Sequence, residues 1–322
     1  MNYVYFGKTG LRVSELCLGT MTFGKEADEQ ASVAIMDRAL DAGINFFDTA
    51  NIYNKGVTEE ILGRYMGTRR EGIVLASKVH FPTGDGINDR GSSRRHIVLS
   101  VEESLKRLRT DRLDILYLHH WDENTAIEES LTALNLLVNQ GKVLYVGVSN
   151  FAAWQIVKAL AAAERRGFAP VSVIQPMYNL LKRQAEVEIL PMALSEGLAV
   201  CPYSPMGGGY LSGKYQAGES GRMTTNAMYQ SRYGDPVYRD IGDRFVAYAR
   251  EHGYAPAALA VAWVLNHPAI TAPIVGARSV AQFNETLACL DIRLTPEQRN
   301  EVGALSIEPP PATDRSEKAA LT

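Results

Sequence analysis

Short, almost wholly apolar runs alternate with longer amphipathic ones along most of the chain. The short runs are Val13–Leu18, Asn45–Thr49, Ile73–Lys78, Ile115–His119, Val143–Ser149, Val173–Pro176, Ala199–Ser204 and Thr271–Val275. Such near-continuous apolar character marks parallel strands buried on both faces. The longer runs repeat with helical spacing: Gln30–Ala42, Thr58–Met66, Arg94–Leu108, Ile127–Gln140, Ala152–Arg166, Arg183–Glu196, Pro256–Asn266 and Ser279–Leu290. Gly43, Gly141, Gly167 and Gly197 each follow such a run, a favoured helix stop. Eight strand runs alternating with eight helical runs predict a parallel sheet, and the count favours closure into a (β/α)8 barrel of the TIM type. An open doubly wound sheet would carry a dinucleotide fingerprint after its first strand. Gly19-Thr20-Met21-Thr22-Phe23-Gly24 does not supply one.

Several segments interrupt the alternation. Tyr3–Phe6 and Leu11–Val13 flank the turn-like Gly7-Lys8-Thr9-Gly10, which predicts an N-terminal hairpin plugging the barrel bottom. Met206–Pro236, after the seventh strand, is a long stretch bearing Gly and Ser, of the kind that serves as a lid or binding loop. A further helix over Tyr238–His252 is expected to pack outside the barrel. The tail from Pro309 to Thr322 opens on three prolines and reads as poorly ordered. With no internal repeat, residues 1–322 read as one barrel domain.

Composition narrows the classes. At 322 residues, barrels are routinely single domains, and 46% hydrophobic with 21% charged residues is ordinary for a soluble protein. A net charge of −3 supplies no global field for nucleic acid or anionic lipid. The N-terminus lacks a signal-peptide pattern, and no apolar stretch is long enough to span a membrane. Cys17, Cys201 and Cys289 are odd in number and far apart, which suggests reduced thiols in the cytoplasm.

In this fold reactive groups collect at the C-terminal ends of the strands. Those ends carry Asp48, Lys78 and His119, and Tyr53 follows Asp48 closely. Singly, Asp48 reads as a turn cap, Tyr53 as a rim aromatic and His119 as a core histidine. Lys78, at the end of an apolar strand, needs a partner. Together they suit protonation of an alkoxide as hydride reaches carbon. An adjacent ammonium is expected to lower the Tyr53 pKa, Asp48 to hold Lys78 charged, and His119 to bond the carbonyl oxygen. Lys78 as a Schiff-base nucleophile is a minor alternative, which Asp48 opposes. His119 and His120 point to opposite faces of a strand, so no metal site is expected.

The motifs Asp48–Tyr53 (DTANIY), Leu75–Lys78 (LASK), Leu113–Asp122 (LDILYLHHWD) and Gly147–Phe151 (GVSNF) resemble those of the aldo-keto reductases. So do Ile174–Asn179 (IQPMYN), Tyr203–Gly209 (YSPMGGG) and Ile274–Ser279 (IVGARS). The match runs in order from about residue 3 to 295 and is closest to bacterial members similar to potassium-channel β subunits. The resemblance implies a barrel that binds NADPH extended, without a Rossmann motif, and reduces an aldehyde or ketone reversibly. It places the family's catalytic tetrad on Asp48, Tyr53, Lys78 and His119.

It also implies a cofactor site. Ser149, Asn150 and Gln175 offer the donors and acceptors a carboxamide needs, and the resemblance puts them on the nicotinamide. Asp48, Gly19 and Thr20 adjoin them, and Tyr203 matches the aromatic that stacks on the ring. Ser204, Pro205, Met206, Gly207, Leu211, Gly213 and Lys214 continue the site toward the pyrophosphate. Gly276 and Arg278 open a helix after the eighth strand, a ready anion site, and Arg278 is assigned to the adenosine 2′-phosphate. Gln282 and Glu285 match contacts at the adenosine end, although Thr286 replaces the family's usual Asn. Arg222 and Arg232 are both candidates to clamp the pyrophosphate. Phe23, Tyr53, His80, His119, Trp121 and the Met223–Tyr233 stretch are expected to meet the substrate. A second class, an NADPH-binding redox sensor or regulatory subunit, is opposed by the intact tetrad. Oligomeric state and substrate identity are not legible.

Overall fold

The computed structural model describes residues 1–313. Two short strands, β1 (Tyr3–Tyr5) and β2 (Arg12–Ser14), pair antiparallel with Val4 opposite Val13. Eight parallel strands follow: β3 (Cys17–Gly19), β4 (Phe46–Asp48), β5 (Val74–Val79), β6 (Leu113–Leu118), β7 (Val143–Ser149), β8 (Val171–Gln175), β9 (Ala199–Val200) and β10 (Ile274–Val275). They pair in chain order, and β10 returns beside β3. Backbone hydrogen bonds from Thr271 N–H to Val200 O and from Ile274 N–H to Pro202 O, both 2.9 Å, join the two ends of the ladder. Helices cover the outside, so the architecture is the expected (β/α)8 barrel.

Period-two alternation sorts the side chains into two cores. Phe47, Leu75, Leu116 and Val148 point outward against the helices. Phe46, Val74, Ala76, Ile115, Tyr117 and Val173 point inward and fill the barrel. Phe6, from the hairpin turn, is fully buried in that inner cluster, with its ring 5.8 Å from Phe46 in T-shaped contact. The hairpin therefore closes the bottom. Gly147 leaves the space that the Tyr117 ring occupies; a Cβ there would meet a ring carbon at 2.5 Å. Continuing the same alternation upward puts Asp48, Lys78, His119, Ser149, Gln175 and Tyr203 in the uppermost inward layer.

Several sequence-based boundaries shift. Val13–Leu18 is not one strand. The Ser14 N–H and hydroxyl are taken by Asn45 Oδ1 and Leu16 O, so the ladder breaks and the barrel strand restarts at Cys17. β9 and β10 are shorter than Ala199–Ser204 and Thr271–Val275, because Pro202 and Pro273 have no N–H to donate. Arg183–Glu196 becomes a 3-10 turn (Gln184–Glu186) and a helix (Ile189–Glu196), with Glu186 held by Arg183 and Tyr178. The helix after β10 spans Val280–Leu287, capped by Ser279. Met206–Pro236 is not a bare loop: it holds a 3-10 segment (Gly207–Ser212) and helices Arg222–Thr225 and Ala227–Tyr233. The outer helix runs Pro236–Glu251 with Asp235 as its cap. Pro309–Thr313 has neither helix nor strand; the rest of the expected disordered tail, 314–322, lies outside the described residues. Among the described residues no helix is long and apolar enough to cross a membrane, and the three cysteines are free and buried.

Candidate active site

Asp48 ends β4, and Lys78 sits one residue before the end of β5, so both enter the barrel mouth from neighbouring strands. The Lys78 ammonium has three N–H donors and uses all of them: Asp48 Oδ1 at 2.5 Å, Thr49 O at 2.7 Å and Tyr53 Oη at 3.1 Å. The second Asp48 oxygen accepts from Gln175 Nε2 at 2.8 Å. Tyr53 opens a tight 3-10 turn (Tyr53–Gly56) in which Asn54 and Lys55 take positive φ values of 47° and 55°. Asn54 Nδ2 ties that turn to Gly24 O at 2.5 Å. The turn thereby folds the phenol back over Lys78. Asn150 and Ser204 share this left-handed conformation, so four of the five described non-glycine residues of positive φ border one site. Each such residue costs about 1–3 kcal/mol and persists where its surroundings enforce it.

Burial sets the electrostatics. It pulls the Lys78 ammonium down, but the Asp48 carboxylate and the Tyr53 oxygen outweigh it, and the group stays charged above its ordinary range. Burial pushes the Asp48 carboxyl up, against the pull of Lys78 and Gln175, whose donors occupy its two oxygens as a carboxylate. Burial also pushes the Tyr53 phenol up, and Lys78 only partly offsets this. The expected lowering of the Tyr53 pKa is thus corrected: desolvation wins, and the phenol is held protonated. Lys78, charged and fully bonded, is no Schiff-base nucleophile.

His119 follows β6 directly, with its N–H on Val79 O at 3.0 Å. Burial and then the Lys78 charge hold its imidazole well below the usual histidine range, so the ring is neutral near pH 7. Its ring meets Tyr53 edge-on at 6.2 Å, and its Nδ1 is buried without a protein partner. Asn150 Nδ2 holds the His119 carbonyl at 2.9 Å, and Asn150 Oδ1 accepts from Tyr203 Oη at 2.6 Å. Ser149 Oγ donates to Gln175 O.

From this network a cavity of about 800 Å³ runs out beneath the segment after β9. Asp48, Tyr53, His119, Ser149, Asn150 and Gln175 line its inner end, with Gly19, Thr20 and Tyr203. Ser204, Pro205, Met206, Gly213 and Lys214 line its middle, and Gly276, Arg278, Gln282 and Glu285 its outer end. Gly207 and Leu211 do not line it. Leu211 is fully buried, and Gly207 packs where a Cβ would meet Leu181.

Three residues expected at the substrate also lie off the cavity. Phe23 is fully buried, because its backbone is pinned to Thr20 and Thr58 and its ring joins the outer core. His80 turns away to Ser92 Oγ at 3.0 Å. Trp121 packs on Phe151 and Trp154. Phe81, His120, Ile52 and Met21 line the mouth instead; of these the sequence reading weighs only His120, and only as a metal ligand. Phe81 was signalled only by being an aromatic just past β5.

Lys214, Arg222 and Arg278 form a cationic cluster. Burial, then the charges of Arg278 and Arg222, pull the Lys214 ammonium down to about 8. Gly221 leaves room for that ammonium, since a Cβ would lie 2.5 Å from Nζ. The cluster sits beside the Ser279-capped helix, and the Arg278 N–H bonds Gln282 Oε1 at 3.2 Å. Mutual repulsion among these half-buried cations suits an anionic phosphate. Donor and acceptor groups at one end and unneutralised charge at the other fit a long phosphorylated ligand. Among the described residues no cluster of His, Cys, Asp or Glu could hold a metal ion.

Comparison with known proteins agrees with this layout. The model of the Aldo/keto reductase family matches residues 15–307. The chain is 45% identical to the uncharacterized oxidoreductase YrpG of Bacillus subtilis, over 92% of this chain and 93% of that protein. It is 36% identical to a probable voltage-gated potassium channel subunit beta of Oryza sativa, over 98% and 99%. It is 35% identical to norsolorinic acid reductase A of Aspergillus parasiticus, over 91% and 78%. By this extent of match, and with the barrel and its mouth as described, the chain belongs to the aldo/keto reductase family.

Proposed function

We propose that this protein reduces an aldehyde or ketone to the alcohol with NADPH, and that Tyr53 delivers the proton. The observation that carries the reading is the chain Asp48–Lys78–Tyr53 beside a neutral His119, at the inner end of a cavity whose far end holds the Lys214–Arg222–Arg278 cluster. When bound, NADPH supplies the hydride. Ser149, Asn150 and Gln175 would hold its carboxamide and Tyr203 the adjoining ring face. Lys214 and Arg222 would hold the pyrophosphate, and Arg278 the 2′-phosphate.

The protein's own groups do the rest. Held protonated at neutral pH, Tyr53 is a donor rather than a base. The phenolate left after transfer lies 3.1 Å from the Lys78 ammonium, which stabilises it where water is excluded. Asp48 keeps Lys78 charged and aimed. A neutral His119 carries one N–H, enough to bond and polarise a carbonyl oxygen without giving up a proton. The alcohol direction uses the same groups in reverse. The small-molecule carbonyl is the partner this reading requires, and buried free thiols suit a cytoplasmic setting.

Tyr53→Phe tests it. Steady-state NADPH oxidation with a panel of aldehydes should fall about 10²- to 10⁴-fold, while NADPH affinity by fluorescence titration stays within about twofold. Turnover at wild-type rates would remove Tyr53 as the donor. Similarity to a probable channel β subunit over nearly the whole chain favours a second reading, an NADPH-binding regulatory subunit. Tight NADPH binding with no oxidation by any aldehyde would select it.

A further inference from the structure

Arg222 and Arg232, equivalent in the sequence, share Tyr229 and diverge from it. Arg222 bonds Tyr229 Oη at 2.9 Å, lies 5.1 Å from its ring centre and is one of the charges acting on Lys214. Arg232, on the helix Ala227–Tyr233, lies over the rings of Tyr203 and Tyr229, its guanidinium carbon 5.8 Å and 5.5 Å from their centres. Tyr203 connects through Asn150 to the His119 backbone. Because Arg232 and not Arg222 lies over Tyr203, and Arg222 and not Arg232 acts on Lys214, Arg232 stands nearer the catalytic end of the cavity.

Its charge there is uncompensated. Among the described residues Arg232 has no carboxylate at ion-pair distance. The carboxylates lining the cavity are Glu26, Asp48, Glu219 and Glu285. Asp48 is taken by Lys78, and Glu219 acts on Lys214. Glu26 belongs to the loop that Thr22 ties to Ala277 O, and Glu285 to the helix beyond Arg278; both sit at the far end. Cation–π packing alone would not require a guanidinium open to the cavity, yet Arg232 is only half-buried and lines it. The Arg232 charge also pulls against burial on the Tyr203 phenol, which places it on that wall.

We propose that Arg232 reads a carboxylate or phosphate borne by the carbonyl substrate, so that anionic aldehydes or ketones are the preferred substrate class; this rests on the reductase reading above. The planar fork of an arginine matches either oxyanion. Phe81, whose ring lies 4.8 Å from that of His119, and the buried Tyr229 also line the cavity and supply walls of low dielectric that strengthen the contact.

The test compares 4-carboxybenzaldehyde with its uncharged methyl ester, and glyceraldehyde 3-phosphate with glyceraldehyde, in the wild type, Arg232→Gln and Arg232→Lys. The wild type favours the charged member of at least one pair, and which pair responds tells carboxylate from phosphate. In Arg232→Gln the charged-to-neutral ratio of kcat/KM falls about 10- to 100-fold, mainly through KM. Arg232→Lys, which keeps the charge, retains an intermediate ratio and guards against misfolding of the first variant. An unchanged ratio in Arg232→Gln overturns the proposal. So does a loss shared equally by charged and neutral substrates with weakened NADPH affinity, which would make Arg232 a cofactor clamp. If the wild type reduces none of the four, the reductase reading is left to the wider aldehyde panel with Tyr53→Phe. Calorimetric titration with terephthalate against terephthalamide then decides for Arg232, and equal binding by wild type and Arg232→Gln rejects it.

Discussion

Raising the pH from 7 to 9 is expected to weaken NADPH binding through Lys214 alone. In the free protein its ammonium is pulled down to about 8 by burial and by the charges of Arg278 and Arg222, against a weaker pull from Glu219. Its end also lies over the Tyr215 ring. A phosphate set among these cations would restore the lysine toward its ordinary value of about 10.4. The complex then binds more protons than the free protein between pH 8 and about 10.4, so affinity falls as pH rises through that window. At pH 9 about nine-tenths of the free lysine is neutral, which by linkage raises Kd about tenfold relative to pH 7. Because Lys214 is half-exposed, solvent screening reduces this to between about threefold and tenfold. The 2′-phosphate titrates near pH 6 and lies below the window. The assay is fluorescence titration of NADPH across pH 7–9.5, repeated for Lys214→Arg, whose charge does not titrate there. Proton uptake measured by calorimetry in buffers of different ionisation enthalpy provides an independent reading. A flat Kd in the wild type, or the same slope in Lys214→Arg, refutes the reasoning.

Other consequences follow from burial and packing. Lys78→Met leaves the Asp48 carboxylate buried with only Gln175 as donor, and urea denaturation should register a loss of about 3–5 kcal/mol; adding Asp48→Asn should recover part of it. Gly147→Ala sets a methyl into the Tyr117 ring at 2.5 Å, with an expected cost of about 1–3 kcal/mol in the same assay. The pH profile of kcat/KM should show no histidine ionisation between pH 6 and 8 from His119, since burial keeps that ring neutral throughout. An inflection there that disappears in His119→Asn would contradict the assigned burial.

The barrel and the inner end of the site were legible because both depend on local periodicity. A run such as Ile73–Lys78 is apolar on both faces only if helices cover one side and a barrel interior the other. Once β5 is a strand, alternation alone turns Ala76 and Lys78 the same way. The positions of Asp48 and Lys78 at the ends of neighbouring strands therefore suffice to bring them together. The ends of β9 and β10 were less legible because a proline keeps strand-like conformation while removing a donor, so the sequence pattern outlasts the ladder.

What lay beyond the sequence was orientation across turns, and the balance of burial against charge. Phe23, His80 and Trp121 each follow a strand, but past its end alternation no longer governs direction. The bonds of Thr20 and Thr58, of Ser92, and the rings of Phe151 and Trp154 decided it. Whether Lys78 lowers the Tyr53 pKa depends on how much water the assembled mouth excludes, a property of the whole barrel. Arg222 and Arg232 differ only by the helix turns that carry one to Lys214 and the other to Tyr203. Which strand-borne groups enter the mouth follows from the local period of two, so Asp48, Lys78 and His119 are readable from their positions alone. Their ionisation, and which arginine stands beside Tyr203, are sums over neighbours brought from distant parts of the chain, and these exist only once the barrel is assembled.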